Sequence, residues 1–258
     1  MQKGFIFDLD GTVYIDNNLV EGAAEAIDHL RKRGDKVVFL TNKSIETIHD
    51  YVEKLKKLGI KATKSEVINS NLLVGRYLQF NLKKGEKVLV IGEKPLYDKL
   101  EKMNIIITND YNEASYVVLG WDRQFTYEKL NHAFQAWRNG AKIIATNPDR
   151  TCPIEDGQIP DCGAMIGALE GSTGEKVELI LGKPSQLAAQ FIVSDILKLP
   201  KEQCFIVGDR LETDIKMGNN YNLQSVLVMT GITTRKMLQD SDDQPTIVLD
   251  SIKSVVDL

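Results

Sequence analysis

The sequence predicts an α/β fold: a doubly wound parallel sheet, with a second, smaller α/β domain inserted into it. Three observations predict this. Short apolar runs alternate with amphipathic segments along the 258 residues, as in chains of successive strand–helix units. That length suits one large α/β domain or two smaller ones. Polar and charged residues recur just after the apolar runs, where an open parallel sheet binds its ligands.

Phe5-Ile6-Phe7 reads as a buried strand. Ala23, Ile27 and Leu30 then recur at helical spacing, and Gly34 ends that helix. Val37-Val38-Phe39-Leu40 is the next strand. Ile48, Val52, Leu55 and Leu58 mark one face of a helix that stops at Gly59. The rhythm resumes near the C-terminus with a strand at Leu179-Ile180-Leu181 and a helix carrying Leu187, Phe191, Ser194 and Leu197. Strands follow at Cys204–Val207, Val226–Val228 and Ile247–Leu249.

The middle alternates in the same way. Strands are expected at Val88–Ile91, Tyr116–Leu119 and Ile143–Ala145, with a helix from Tyr127 to Arg138. Polar, glycine-containing segments, Lys83-Lys84-Gly85-Glu86 and Ser172-Thr173-Gly174-Glu175, flank this stretch. The expected division is therefore a discontinuous core of residues 1–78 and 178–258, with residues 79–177 as the insert.

Composition narrows the function classes. With 32 basic and 36 acidic side chains the net charge is -4, which argues against a protein held to nucleic acid by phosphate neutralisation. No window is long and apolar enough to span a bilayer. The N-terminus leads within a few residues to Asp8-Leu9-Asp10, where a secretory leader would be apolar. Cys152, Cys162 and Cys204 make no disulfide framework, so a reducing, cytoplasmic setting is expected.

The chemistry concentrates at four places, each after an apolar run. Asp8 and Asp10 follow Phe5–Phe7, and Gly11 lets the chain turn away. Two crowded carboxylates repel each other, and a hard divalent cation would relieve that repulsion. Alone, the segment reads equally well as a solvated acidic turn. Thr41-Asn42 follows the second strand with a hydroxyl and an amide suited to phosphate oxygens, or to capping a helix, as Ser44 also could. Gly182-Lys183-Pro184 follows Leu179–Leu181, where lysine is either a cleft cation or an ordinary surface residue. Gly208-Asp209 through Asp214 adds two more carboxylates, or an acidic helix start. Taken together, the four sites describe a reactive centre with a metal, a nucleophile and charge stabilisers.

In order and spacing these sites resemble the four signature motifs of the haloacid dehalogenase (HAD) superfamily of phosphatases. Asp8-Leu9-Asp10-Gly11-Thr12 with Tyr14, Thr41-Asn42 and Ala145-Thr146-Asn147-Pro148-Asp149 look most like its NagD-like branch, whose members act on sugar phosphates, nitrophenyl phosphate or pyridoxal phosphate. The resemblance implies a Rossmann-like core with an inserted cap that selects the substrate. It implies that Asp8 attacks phosphorus to form an aspartyl-phosphate, with Asp10 as general acid and then general base. Mg2+ would be held by Asp8, the Asp10 carbonyl and Asp209, with Asp214 behind them orienting Lys183 or a water. Thr41, Asn42, Lys43 and Lys183 would offset charge on the phosphoryl group. Asp10 and the two later carboxylates fit phosphoryl transfer rather than dehalogenation.

In the insert, Asn147, Asp149, Arg150 and Cys152 are candidate substrate contacts, with Asp161–Ala164 nearby in sequence. Related pyridoxal-phosphate phosphatases carry a histidine where this chain has Cys152, which disfavours that substrate. The implied partner is a small phosphorylated metabolite, and an apolar face on the insert would support a homodimer. A phosphotransferase or mutase using the same aspartyl-phosphate is disfavoured by the long insert. A noncatalytic phosphate-binding protein is disfavoured by the presence of both Asp8 and Asp10.

Other features carry less. His29, His49 and His132 fall within helical patterns. Cys152 and Cys162 lack further ligands at metal spacing. Gly182-Lys183 is no phosphate-binding P-loop, since Val177 stands where glycine is required and Pro184 where Ser or Thr is required. Trp121 and Trp137 suit a core or interface better than a cofactor.

Overall fold

A computed structural model describes residues 1–154 and 157–258. The chain forms two compact units. One comprises Met1–Thr41, Ile48–Ile68 and Lys183–Leu258; the other comprises Asn42–Thr47 and Asn69–Gly182. The sequence boundary at 79 falls inside the helix Ser70–Asn81, which packs on the helix Lys94–Lys102 of the second unit. The later boundary moves from 177 to 182 because Leu179–Ile180 pairs within the second unit.

The first unit is built on a six-stranded sheet. Its order is Ile247–Leu249, Gln224–Val228, Cys204–Gly208, Gly4–Asp8, Lys36–Thr41 and Val67–Asn69. Gly4–Asp8 lies inside the sheet, parallel to both neighbours, with Phe7 opposite Val207 on one side and Phe39 on the other. All five of its residues are buried, so it reads as a continuous apolar run rather than an alternating one. Phe5, Phe7, Phe39 and Val207 belong to one apolar core with Ile27, Leu30, Tyr51 and Leu55. Each such burial contributes about 1.5–3 kcal/mol. The helix Ala23–Lys32 buries Ala23, Ala26, Ile27 and Leu30, the single face expected from their spacing. The helix Ile48–Lys57 buries Tyr51 and Leu55 in the same way.

The second unit carries a parallel sheet in the order Leu179–Ile180, Lys142–Ala145, Ala114–Leu119 and Lys87–Ile91. The helices Tyr127–Arg138 and Cys162–Thr173 pack on each other, and their residues Ala133, Ala136, Ile166 and Leu169 share a core with Val117, Leu119 and Ile143. Thr151–Ile154 and Gly157–Pro160 pair as antiparallel strands.

One sequence expectation is corrected by the strand pairing. Leu179-Ile180 is a strand, but of the second sheet, paired with Ile144 and Ala145; Lys183 therefore does not follow a strand of the core sheet. Asp161 caps the helix Cys162–Thr173. Trp121 is buried in the second unit's core, as its apolar bulk suggests. No helix among the described residues is long and apolar enough to cross a membrane.

Candidate active site

The strand order dictates where the first unit can bind a ligand. From Gly4–Asp8 the chain runs outward through Lys36–Thr41 to Val67–Asn69, then returns to Cys204–Gly208 on the other side. The loops leaving Gly4–Asp8 and Cys204–Gly208 therefore diverge, which opens a crevice at the carboxyl ends of these two strands. Asp8 is the last residue of one strand, and Asp209 directly follows the other.

Asp8, Asp209 and Asp214 each offer a carboxylate oxygen, and these oxygens lie within 4.8 Å of one another. Lys183 joins them. Its Nζ donates to Asp8 Oδ1 and pairs with Asp214 Oδ1 at 2.7 Å. All four side chains are buried. Asp214 is aimed by a one-turn helical segment, Leu211–Ile215, and its Oδ2 accepts from the Arg210 N–H at 3.2 Å.

Three carboxylates and one ammonium leave the cluster with excess negative charge, and the proton affinities reflect it. Burial pushes the Asp8 carboxyl well above its ordinary range; Asp214 and Asp209 add to this, and Lys183 opposes it without cancelling it. Burial, then Asp214, pushes Asp209 up to about 6 against the Ile232 N–H. Burial works against the Lys183 charge, but Asp214 and Asp8 outweigh it and hold the ammonium above the ordinary lysine range.

Such a cluster fits a hard divalent cation, which takes oxygen ligands and offsets like charge. One atom fits that role in particular. Asp209 Oδ1 is buried and has no hydrogen-bond partner among the described residues. A buried polar oxygen without a partner calls for a ligand.

Asp10 lies two residues beyond Asp8, across the fully buried Leu9, in a turn bridged to Tyr14. The turn depends on Gly11, whose φ of +88° favours glycine and whose missing side chain makes room for Asp209: a Cβ there would lie 2.6 Å from Asp209 Oδ2. Thr41 ends the neighbouring strand one residue past Leu40, the partner of Asp8, and is buried.

The other predicted residues belong to the second unit. The Asn42 carbonyl accepts from Ser70 Oγ at 2.7 Å, and Ser44 Oγ accepts from the Trp121 N–H at 3.0 Å. Lys43, between them, is half-buried. None of Thr41, Asn42 and Ser44 caps a helix, because the next one begins at Ile48. Asn147 is buried and spoken for: its Nδ2 donates to Asp149 Oδ2 at 3.1 Å and Asp161 Oδ1 at 3.2 Å, while its Oδ1 accepts from Thr146 Oγ1 at 2.7 Å. Cys152 packs into the apolar core of its unit. Both are buried, with partners inside their own unit. Asp149 is half-buried, and Arg150 is exposed. Cys162 is buried, and burial pushes its thiol up to about 12.

Sequence reasoning missed the segment Thr230–Thr233. The Ile232 N–H donates to Asp209 Oδ2 at 2.7 Å, and the Thr233 hydroxyl donates to the Asp209 carbonyl at 2.5 Å. The signal was available: these residues follow the apolar strand Gln224–Val228, just as the other site residues follow theirs.

A haloacid dehalogenase-like hydrolase model matches residues 5–106, and a HAD-hydrolase-like model matches residues 180–255. Sugar-phosphatase AraL of Bacillus subtilis is 40% identical over 255 residues, covering 99% of this chain and 92% of that protein. The chain belongs to the haloacid dehalogenase-like hydrolases. Among solved structures, 4-nitrophenylphosphatase from Thermotoga maritima matches with a TM-score of 0.92 and 35% identity, over 100% of this chain and 97% of that one. NagD from E. coli matches at 0.89 and 29%, over 99% and 98%. A glycerol phosphate phosphatase from Mycobacterium tuberculosis in complex with magnesium matches at 0.90 and 27%, over 98% and 76%. The chain is thus a NagD-like member of the family and a phosphoric monoester hydrolase.

Proposed function

We propose that this protein is a Mg2+-dependent phosphatase of small phosphomonoesters, sugar phosphates foremost, working through an aspartyl-phosphate on Asp8. The buried cluster of Asp8, Lys183, Asp209 and Asp214 carries the reading. Sugar-phosphatase AraL and the acid sugar phosphatase of Staphylococcus haemolyticus support the substrate class. The magnesium complex of the mycobacterial phosphatase supports the metal.

Asp8, Asp209 and the Asp10 carbonyl would hold the cation. When bound, it supplies the positive charge that lets an anionic carboxylate approach an anionic phosphoryl group. The Asp8 carboxylate then attacks phosphorus as the P–O bond to the alcohol breaks, and Asp10 delivers a proton to the leaving oxygen. A water next attacks the phosphoryl group and gives its proton to Asp10; the bond to Asp8 breaks, releasing inorganic phosphate. Lys183 offsets charge on the transferring group, and Asp214 fixes the ammonium in place. The Thr41 hydroxyl would hold a phosphoryl oxygen.

The second unit, in this reading, selects the substrate. Asn147, Asp149, Arg150 and Cys152 remain its candidate substrate contacts, and Arg150 is the exposed one among them. The test is phosphate release from sugar phosphates, nucleotides, pyridoxal phosphate and nitrophenyl phosphate, with Mg2+ and with chelator. Metal-dependent release with sugar phosphates ranking first is expected. No release without an added acceptor would point to phosphotransfer instead.

A further inference from the structure

The loop after the strand Gln224–Val228 grips Asp209 at several points. The Ile232 N–H takes Oδ2 at 2.7 Å, and the Thr233 hydroxyl takes the backbone carbonyl at 2.5 Å. Thr233 is itself buried. Gly231 lies directly against the carboxylate; a Cβ there would sit 2.6 Å from the Asp209 Cβ and closer still to the carboxylate. The Thr230 hydroxyl donates to the Gly11 carbonyl at 2.6 Å, which ties this loop to the turn that carries Asp10. The loop therefore commits one oxygen of Asp209 to the protein. The other, Oδ1, is buried without a partner among the described residues.

We propose that Thr230–Thr233 is a positioning element that reserves Asp209 Oδ1 for the divalent cation. None of its residues contacts the reacting atoms in this role. It rests on the reading above that Asp209 holds the cation. The physical reason is orientation. A carboxylate free to rotate about its Cβ–Cγ bond offers a cation two equivalent oxygens and loses that freedom on binding. A carboxylate already fixed by a backbone N–H has no such freedom left to lose. Hydrogen bonds behind a metal ligand are typically worth 10- to 100-fold in metal affinity. The same grip explains two glycines at once, since side chains at Gly11 and Gly231 would both press on this one carboxylate.

The test is calorimetric titration of Mg2+ alone into the metal-free full chain, with no substrate present. Thr233→Val keeps the shape and removes the donor; Thr233→Ser keeps the donor. Thr233→Val should raise the Mg2+ Kd by about 10-fold or more, and Thr233→Ser should return it to within about threefold of wild type. Gly231→Ala, which pushes the carboxylate directly, should weaken binding at least as much as Thr233→Val. Asp209→Asn should abolish binding. A lower melting temperature for Thr233→Val and Gly231→Ala with an unchanged Kd would show that the loop serves stability only, and would overturn the proposal. Wild-type affinity in Asp209→Asn would overturn the underlying placement of the cation instead.

Discussion

Replacing Lys183 with methionine removes the only positive charge in the buried cluster while nearly keeping its volume. The Nζ sits 2.7 Å from Asp214 Oδ1 and also bonds Asp8. At an effective dielectric of about 20, a pair at that distance attracts by roughly 6 kcal/mol, most of which repays desolvation. Removing one partner leaves the carboxylates buried without compensation. Breaking a buried pair in this way costs about 3–5 kcal/mol. For a chain of this size that corresponds to a fall in melting temperature of roughly 6–20 °C. The assay is thermal unfolding of metal-free wild type and Lys183→Met at pH 7.5 and pH 5. The loss should be full at pH 7.5. It should shrink at pH 5, because Asp209, with its pKa pushed up to about 6, takes up a proton there, and Asp8 is also held above its ordinary range. Mg2+ should then stabilise the variant more than the wild type, since it meets one more uncompensated negative charge. A variant within about 1 kcal/mol of wild type at pH 7.5, or an equal loss at both pH values, would refute this electrostatic picture.

Three other outcomes are expected. The contribution of Asp209 to the stability of the metal-free protein, read as the difference from Asp209→Asn, should fall as pH rises from about 4 to 6. Asp209 binds its proton more tightly folded than unfolded over that window, which spans about 2 pH units and amounts to about 3 kcal/mol; for the same reason Mg2+ affinity should fall below pH 6. Chemical denaturation and Mg2+ titration across pH 4–8 check both. Asp10→Asn should lower the rate of phosphate release by about 10²–10⁴-fold while Mg2+ binding persists, because only the side chain and not the carbonyl changes; steady-state kinetics beside calorimetry separates the two. Asp161→Ala should cost about 1–3 kcal/mol by removing both the cap on the Cys162 N–H at 2.5 Å and one of the two acceptors of Asn147 Nδ2, read as a shift in the thermal melt.

Much of this could be read from the residues. Phe5–Phe7, Val37–Leu40 and Cys204–Val207 are buried on both faces, and their unbroken apolar runs announced it. Asp8 and Asp209 were legible because each stands at the end of such a run. The partner of Leu179–Ile180 was not, since a short apolar run does not say which sheet it joins. The helix Ser70–Asn81 escaped notice because it buries Ser70, Asn71 and Gly75 beside Leu73, Val74 and Leu78, which breaks the apolar stripe. Cys162–Thr173 escaped for the opposite reason: it is small and apolar on several sides, with glycines at 163, 167 and 171. The roles of Thr230–Thr233 lie in hydrogen bonds to Gly11 and Asp209 across the fold, which spacing along the chain does not encode.

The most direct measurement is mass spectrometry of acid-quenched protein during turnover of a sugar phosphate with Mg2+. A phosphoryl group on the peptide carrying Asp8, more abundant in Asp10→Asn and absent in Asp8→Asn along with turnover, is the expected result. Turnover that persists in Asp8→Asn, or a phosphoryl group found on any other residue, would contradict covalent catalysis at Asp8.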